Sequence, residues 1–259
     1  MGIMGSSGEF VIYYDEKIEE ISNSISASLK LESNAVKFSS DLGLTSNIGG
    51  SSGNRPIVIW SIVPPYDRDM FKLCLTLSRL NSTSVLILLP MAYQKGGLPD
   101  SEAGFTQYMD LINQFKVQRL VFVDLTPIRR LGITAAESVS LSTFPLLIER
   151  LKNDNYRAKV ITFNPDLNVA VEVIEHQVGV EDGNVLIIDN LVNRSSELKP
   201  VASVYLKKAN NVRFYATYFL DDPSELKSFG EVISTNTIAW DVRKLDLAGQ
   251  LIDYIKTLY

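Results

Sequence analysis

The sequence predicts an α/β protein built from two mainly parallel sheets, each flanked by helices. Two observations carry this. Apolar runs of strand length alternate with stretches whose apolar residues recur at helical spacing. The alternation repeats in both halves of the chain and pauses near residues 142–158, which divides it into two α/β parts.

Each element has its own warrant in the order of residues. Phe10-Val11-Ile12-Tyr13-Tyr14 is a strand. Glu16 to Leu31 is a helix, with Ile18, Ile21, Ile25 and Leu29 on one face. Leu44 to Asn54, rich in Gly, Ser and Asn, is a loop. Ile57 to Val63 is a buried strand closed by Pro64-Pro65. Asp67 is the expected N-cap of a helix from Arg68 to Leu80, whose inner face is Met70, Leu73, Leu77 and Leu80. Val85 to Leu89 is a strand, Tyr108 to Phe115 a helix, and Leu120 to Leu125 a strand that ends at Asp124. Ser142 to Leu151 is a helix. Lys159 to Phe163 is the next strand, turned by Asn164-Pro165-Asp166. A helix over Val169 to Val178 and a strand over Val185 to Ile188 follow. Pro200 stands near the start of a helix that runs to Lys208. Arg213 to Leu220 and Val232 to Thr235 are strands. Leu245 to Leu258 closes the chain as an amphipathic helix, with Leu247, Leu251, Ile255 and Leu258 on one face. The expected organisation is a flexible tail over 1–8 and two domains, 9–145 and 146–259.

Composition narrows the class. Of 259 residues, 46% are hydrophobic and 21% charged, as in a folded globular chain and not a disordered one. A net charge of −5, with no dense Lys/Arg run, weighs against nucleic acid or an acidic membrane as partner. No apolar run reaches the ~20 residues that span a bilayer. The first eight residues lack the basic and apolar stretches of a signal peptide. The single cysteine, Cys74, leaves no intramolecular disulfide and fits a reducing cytoplasm. It reads as a small buried apolar residue, and His176, the only histidine, as a solvent-edge residue of a helix.

Ligands of parallel sheets bind beyond the carboxyl ends of the strands, which brings Asp124, Asp166 and Asp189 forward. After Asp189 an anion site needs glycines and converging N–H groups at a helix start. Here the segment is Leu191-Val192-Asn193-Arg194-Ser195-Ser196-Glu197-Leu198-Lys199. It has no glycine, and Glu197 would repel a phosphate. Arg194, Ser195 and Ser196 either hold an anion through their side chains or form a polar surface turn. Asp189 is either a ligand or a helix N-cap or turn carboxylate, and Asp166 either a ligand or a turn former. A carboxylate leaving a buried strand, as Asp124 does, is costly unless it is used. Arg129-Arg130 is a basic pair of the kind that usually lies on a solvated face.

From Phe10 onward the order of motifs resembles that of ribose-phosphate pyrophosphokinase, also called phosphoribosyl pyrophosphate synthetase. Tyr66-Asp67-Arg68-Asp69-Met70-Phe71-Lys72-Leu73 resembles the family's N-D-x-L-M-E-L helix start. Leu77 to Val85 is similar to its A-L-R-x-A-S-A stretch, and Leu89-Pro90-Met91-Ala92-Tyr93 to its I-P-Y-x-x-Y. Arg119 to Leu125 resembles R-x-x-x-V-D-L, Asn164-Pro165-Asp166 resembles S-P-D, and Ser234-Thr235-Asn236-Thr237-Ile238 matches T-N-T-I. The resemblance implies two phosphoribosyltransferase-like domains and an oligomer with sites at subunit contacts. It implies a ribose-phosphate or anion site at Asp189, Asn190, Asn193, Arg194, Ser195 and Ser196. It also implies a nucleotide site at Phe38, Asp41, Tyr93 and Lys95, and weak metal ligands at Asp124 and Asp166.

The departures fall on the chemistry. The family's D-x-x-x-T-G-G-T becomes Asn193-Arg194-Ser195-Ser196-Glu197, its acidic pair becomes Asp189-Asn190, and the histidine after V-D-L becomes Thr126. Its A-R-Q-D segment becomes Gln94-Lys95-Gly96-Gly97. The F-x-x-G-E loop survives only as Phe38-Ser39-Ser40-Asp41-Leu42-Gly43. The stretch Leu167 to Ile188 is too short to carry the family's K-x-R hairpin. Phosphoryl transfer needs Mg²⁺ and cationic side chains to hold the spreading charge. The expected function is therefore a catalytically inactive, cytoplasmic homologue. It would act through a homo-oligomer, or through a hetero-oligomer with an active paralogue, in phosphoribosyl pyrophosphate metabolism. The alternatives are an active ribose-phosphate diphosphokinase, for which Mg²⁺ and ATP would be required, and a module that senses a nucleotide, a sugar phosphate or another small anion.

Overall fold

The computed structural model describes residues 10–40, 43–46, 48, 54–63, 66–90, 101–126, 128–192, 194–237 and 240–258. The expected tail over 1–8 lies outside them. Strands whose residues are buried on both faces form two separate parallel sheets.

The first unit carries β1 (Phe10–Asp15), α1 (Glu19–Leu29), β2 (Glu32–Val36), β3 (Arg55–Trp60), α2 (Tyr66–Leu80), β4 (Thr83–Leu88), α3 (Ser101–Asn113), β5 (Val117–Val123) and β6 (Glu137–Leu141). Its six strands run in the order β2-β1-β3-β4-β5-β6, and all neighbouring pairs are parallel. Every residue of β1 and β4 is buried, which is why Phe10–Tyr14 and Val85–Leu88 read as apolar runs. Asp67 is not a cap. It sits in the first turn of α2, where a carboxylate still meets the positive end of the helix. Met70, Leu73 and Leu77 are buried as the spacing requires. Cys74, on the same helix, is half-buried, and burial pushes its thiol pKa up.

The second unit carries α4 (Phe144–Asn153), β7 (Lys159–Thr162), α5 (Asn168–Val178), β8 (Asn184–Val192), α6 (Lys199–Leu206), β9 (Asn211–Phe219), β10 (Glu231–Thr235) and β11 (Arg243–Leu245). Its sheet has the order β11-β10-β9-β8-β7, again parallel throughout. Alternate residues of one strand serve opposite faces. Leu186 and Ile188 pack with Leu147, Leu151 and Ile174 from α4 and α5. Val185 and Ile187 pack with Ala202 of α6 and with Leu226.

The units are not continuous in sequence. The last helix, α7 (Ala248–Lys256), buries Leu251, Ile252 and Ile255 in the first unit against α1, whereas Asp124–Pro127 belongs to the second unit. The expected boundaries, 9–145 and 146–259, therefore differ from this division in both places. Three strands escaped the sequence reading: β2, β6 and β11. All three are sheet edges with polar sequences and little apolar signal. Among the described residues no helix is long and apolar enough to cross a membrane.

Candidate functional site

The carboxyl ends of β7, β8, β9 and β10 bring a set of buried polar residues together in the second unit. Asp124 joins them from the chain that leaves β5. Its backbone is left-handed, with φ 49°, a conformation that the short polar Asp tolerates better than most residues. The carboxylate is buried. Oδ1 accepts the N–H of Thr143 at 3.0 Å, and Oδ2 accepts the hydroxyls of Thr217 at 2.6 Å and of Thr143. The Tyr215 hydroxyl bonds the Thr143 oxygen in turn. Burial raises the Asp124 pKa above the ordinary 3.8, against the lowering pull of the Thr143 and Thr217 hydroxyls. Burial, then the Asp124 charge, raises the phenols of Tyr215 and Tyr218. The Tyr218 hydroxyl is fully buried with no hydrogen-bond partner among the described residues.

A second network lies beside the first. The Asn190 side chain is fully buried. Its Nδ2 donates to the Asp124 carbonyl at 2.9 Å and to Thr126 Oγ1 at 2.8 Å, and its Oδ1 accepts from Asn164 Nδ2 at 3.2 Å. A carbonyl can only accept, so chemistry fixes which way this amide faces. Asn164 also caps the short 3-10 helix Pro165–Leu167 by accepting the Asp166 N–H at 3.1 Å. These bonds tie Asp124 and Thr126 to the second unit.

The expected anion loop is closed from within. Strand β8 runs past Asp189 to Val192, so Asp189 is a buried strand residue and not a helix cap. Its Oδ1 accepts the Asn190 N–H at 2.8 Å. Ser195 opens a 3-10 helix, Ser195–Leu198, that runs into α6. Its N–H donates to Asp221 Oδ1 at 2.8 Å, and its hydroxyl donates to Asp221 Oδ2 at 3.3 Å and to the Asp222 carbonyl at 3.0 Å. A carboxylate of this chain thus holds the Ser195 N–H and hydroxyl. Arg194 and Ser196 are exposed. Asn193 lies outside the described residues.

The other expected residues do not gather. Asp166 is exposed in its 3-10 turn, while Asp124 is enclosed by hydroxyls. Among the described residues no three of His, Cys, Asp or Glu come together as metal ligands. Phe38 lies in the first unit, half-buried, with Lys72 Nζ 5.2 Å from its ring centroid. Asp41, Tyr93 and Lys95 lie outside the described residues, as do the side chains of Arg129 and Arg130. His176 is exposed on α5.

Sequence reasoning missed Thr143, Tyr215, Thr217, Tyr218 and Asp221. Thr217 carried a usable signal, the one aliphatic hydroxyl inside the run Phe214 to Phe219. It also missed a charge cluster at the strand ends of the first unit. There Lys17 pairs with Asp69, and Asp69 Oδ2 accepts the Val63 N–H at 3.1 Å. Burial raises the Asp15 pKa nearby, against the pull of Lys17.

No protein-family model matches the chain, and no curated protein matches it at a significant level. Among solved structures it is similar to the phosphoribosylpyrophosphate synthetase from Mycobacterium smegmatis. The TM-score is 0.83 at 16% identity, over 96% of this chain and 98% of that one. The two-domain phosphoribosyltransferase-like fold read from the motif order is therefore the fold of this chain.

Proposed function

We propose that this chain is a non-catalytic relative of the phosphoribosylpyrophosphate synthetases that works through assembly, with copies of itself or with an active relative. The observation that carries the reading is the Ser195–Asp221 contact. In an anion loop the backbone N–H and hydroxyl at a helix start must be open to the ligand. Here both are bound to Asp221.

The neighbouring position supports the same conclusion. Asn190 stands where a second carboxylate would serve, and its amide faces the Asp124 carbonyl and Thr126. Holding Mg²⁺ beside a transferring phosphoryl group takes several oxygen ligands free to coordinate. At Asp124 the carboxylate oxygens are bound by Thr143 and Thr217. What the fold retains is a scaffold, and scaffolds of this size are used through their surfaces.

Two readouts test the proposal. Light scattering on the purified chain is expected to give a multiple of the 28.9 kDa chain mass. Incubation with Mg²⁺, ATP and ribose 5-phosphate is expected to give no phosphoribosyl pyrophosphate above the protein-free background. A monomer at micromolar concentration contradicts assembly with copies of itself and leaves only assembly with an active relative, and product contradicts the non-catalytic half.

A further inference from the structure

On the outer side of the second unit, α4 and α5 leave a groove of about 500 Å³. Pro145 and Ile148 of α4 and Val173 of α5 give it an apolar lining, with Glu149, Lys152 and Gln177 among the polar residues around them. The apolar surface continues along α5. Val169 and Val173, one turn apart on the same helix face, are 72% and 47% exposed, and Val180 just past the helix end is 54% exposed. Apolar side chains clustered on one face in this way mark contact surfaces.

The charges beside the groove identify the occupant. Glu149 has no ion-pair partner among the described residues. Lys152 Nζ is hydrogen-bonded to the neutral Gln177 amide at 2.8 Å and to no carboxylate among the described residues. Arg150, between them in sequence, is paired with Asp154 at 2.9 Å. One unpaired anion and one unpaired cation thus stand three residues apart, on one helix face. Together they offer nothing to a strongly charged partner, because an acidic or a basic surface would satisfy one and repel the other. A second copy of the same face, turned by a twofold axis, satisfies both at once. Isologous contacts set residue i against j and j against i, so Glu149 meets the partner's Lys152 twice across the axis.

We propose that this α4–α5 face is a self-association surface, with Val169 and Val173 packing into the groove of a second copy and Glu149 pairing with the partner's Lys152. The proposal rests on the assembly reading above and assigns it a surface.

The test compares sedimentation or light scattering of the full chain with that of four variants: Val173→Glu, Glu149→Lys, Lys152→Glu and the double reversal. All three positions lie on the helix surface, so unchanged circular dichroism melts are expected. Val173→Glu should weaken association at least ~100-fold, since it puts two carboxylates into an apolar contact. Each single reversal should weaken it about tenfold by setting like charges together at two places, and the double reversal should restore it. A monomeric parent chain would overturn this inference and, of the assembly reading, the part that concerns copies of this chain. An oligomer indifferent to Val173→Glu would overturn this surface alone. A double reversal as weak as the single ones would overturn the twofold Glu149–Lys152 pairing.

Discussion

Asp124 reads as a ligand in the sequence and is held by buried hydroxyls in the structure. Its position after a buried strand made it a ligand candidate, because a carboxylate there has to be compensated. The compensation comes from Thr143 and Thr217. Replacing Asp124 by Ala leaves two hydroxyls and one backbone N–H buried without their acceptor, and should lower the unfolding free energy by about 3 kcal/mol in urea titration. The pH dependence has a definite sign. A folded-state pKa raised above 3.8 means that the folded chain binds the Asp124 proton more tightly than the unfolded chain. That contribution is present in full below 3.8 and is lost as pH rises through the raised value. The unfolding free energy of the parent chain, minus that of Asp124→Asn, should therefore grow as pH falls from about 7 toward 3.8. A difference that grows with rising pH would mean that the hydroxyls outweigh burial. Gly230 gives a residue-scale prediction of another kind. A Cβ there would lie 1.8 Å from the Val212 carbonyl, which is backbone and cannot swing away. Gly230→Ala should cost about 3 kcal/mol or more.

At the scale of elements, the turn after β9 governs the turn after β8. In Asp221-Asp222-Pro223 the two carboxylates divide the work. Asp222 caps the 3-10 helix Pro223–Ser228 through the Ser224 N–H at 2.9 Å and hydroxyl at 3.0 Å. Asp221 reaches across to Ser195. Asp221→Ala should thus lower stability by about 1 to 3 kcal/mol through the stranded Ser195 donors, although the residue is only half-buried. An unchanged urea midpoint would show that water replaces the carboxylate and that the loop is not closed from within. This contact was not legible in the sequence, because Ser195 and Asp221 are 26 residues apart and nothing local links them. The buried strands were legible, because residues packed on both faces must be apolar. The edge strands β2, β6 and β11 were not, because a strand half open to water needs no such pattern.

At the scale of the molecule, the order of weak motifs carried more than any one of them. Asn164 and Thr235 lie at or just beyond strand ends of the second unit, and Asp124 just beyond β5, as their motif order implied, whereas Asp189 lies inside β8. A solved structure at 16% identity shares the fold along nearly the whole chain. A shared fold at this distance does not carry shared chemistry with it. Core positions tolerate any apolar side chain of the right size, whereas a phosphate loop tolerates few changes. The swap of α7 into the first unit was hidden, since an amphipathic helix does not state which sheet it will cover.

The non-catalytic reading holds that the Ser195 donors and the Asp124 carboxylate are spent inside the chain. Formation of phosphoribosyl pyrophosphate from ATP and ribose 5-phosphate with Mg²⁺ tests it most directly, measured for the parent chain and for the Ser195→Gly/Ser196→Gly variant. Each lost transition-state contact typically costs ~10² to 10³ in rate. The account predicts no product above background for either protein, because glycines alone restore neither the second carboxylate nor the cations. Sustained turnover by the parent chain, abolished by Asp189→Asn, would contradict it.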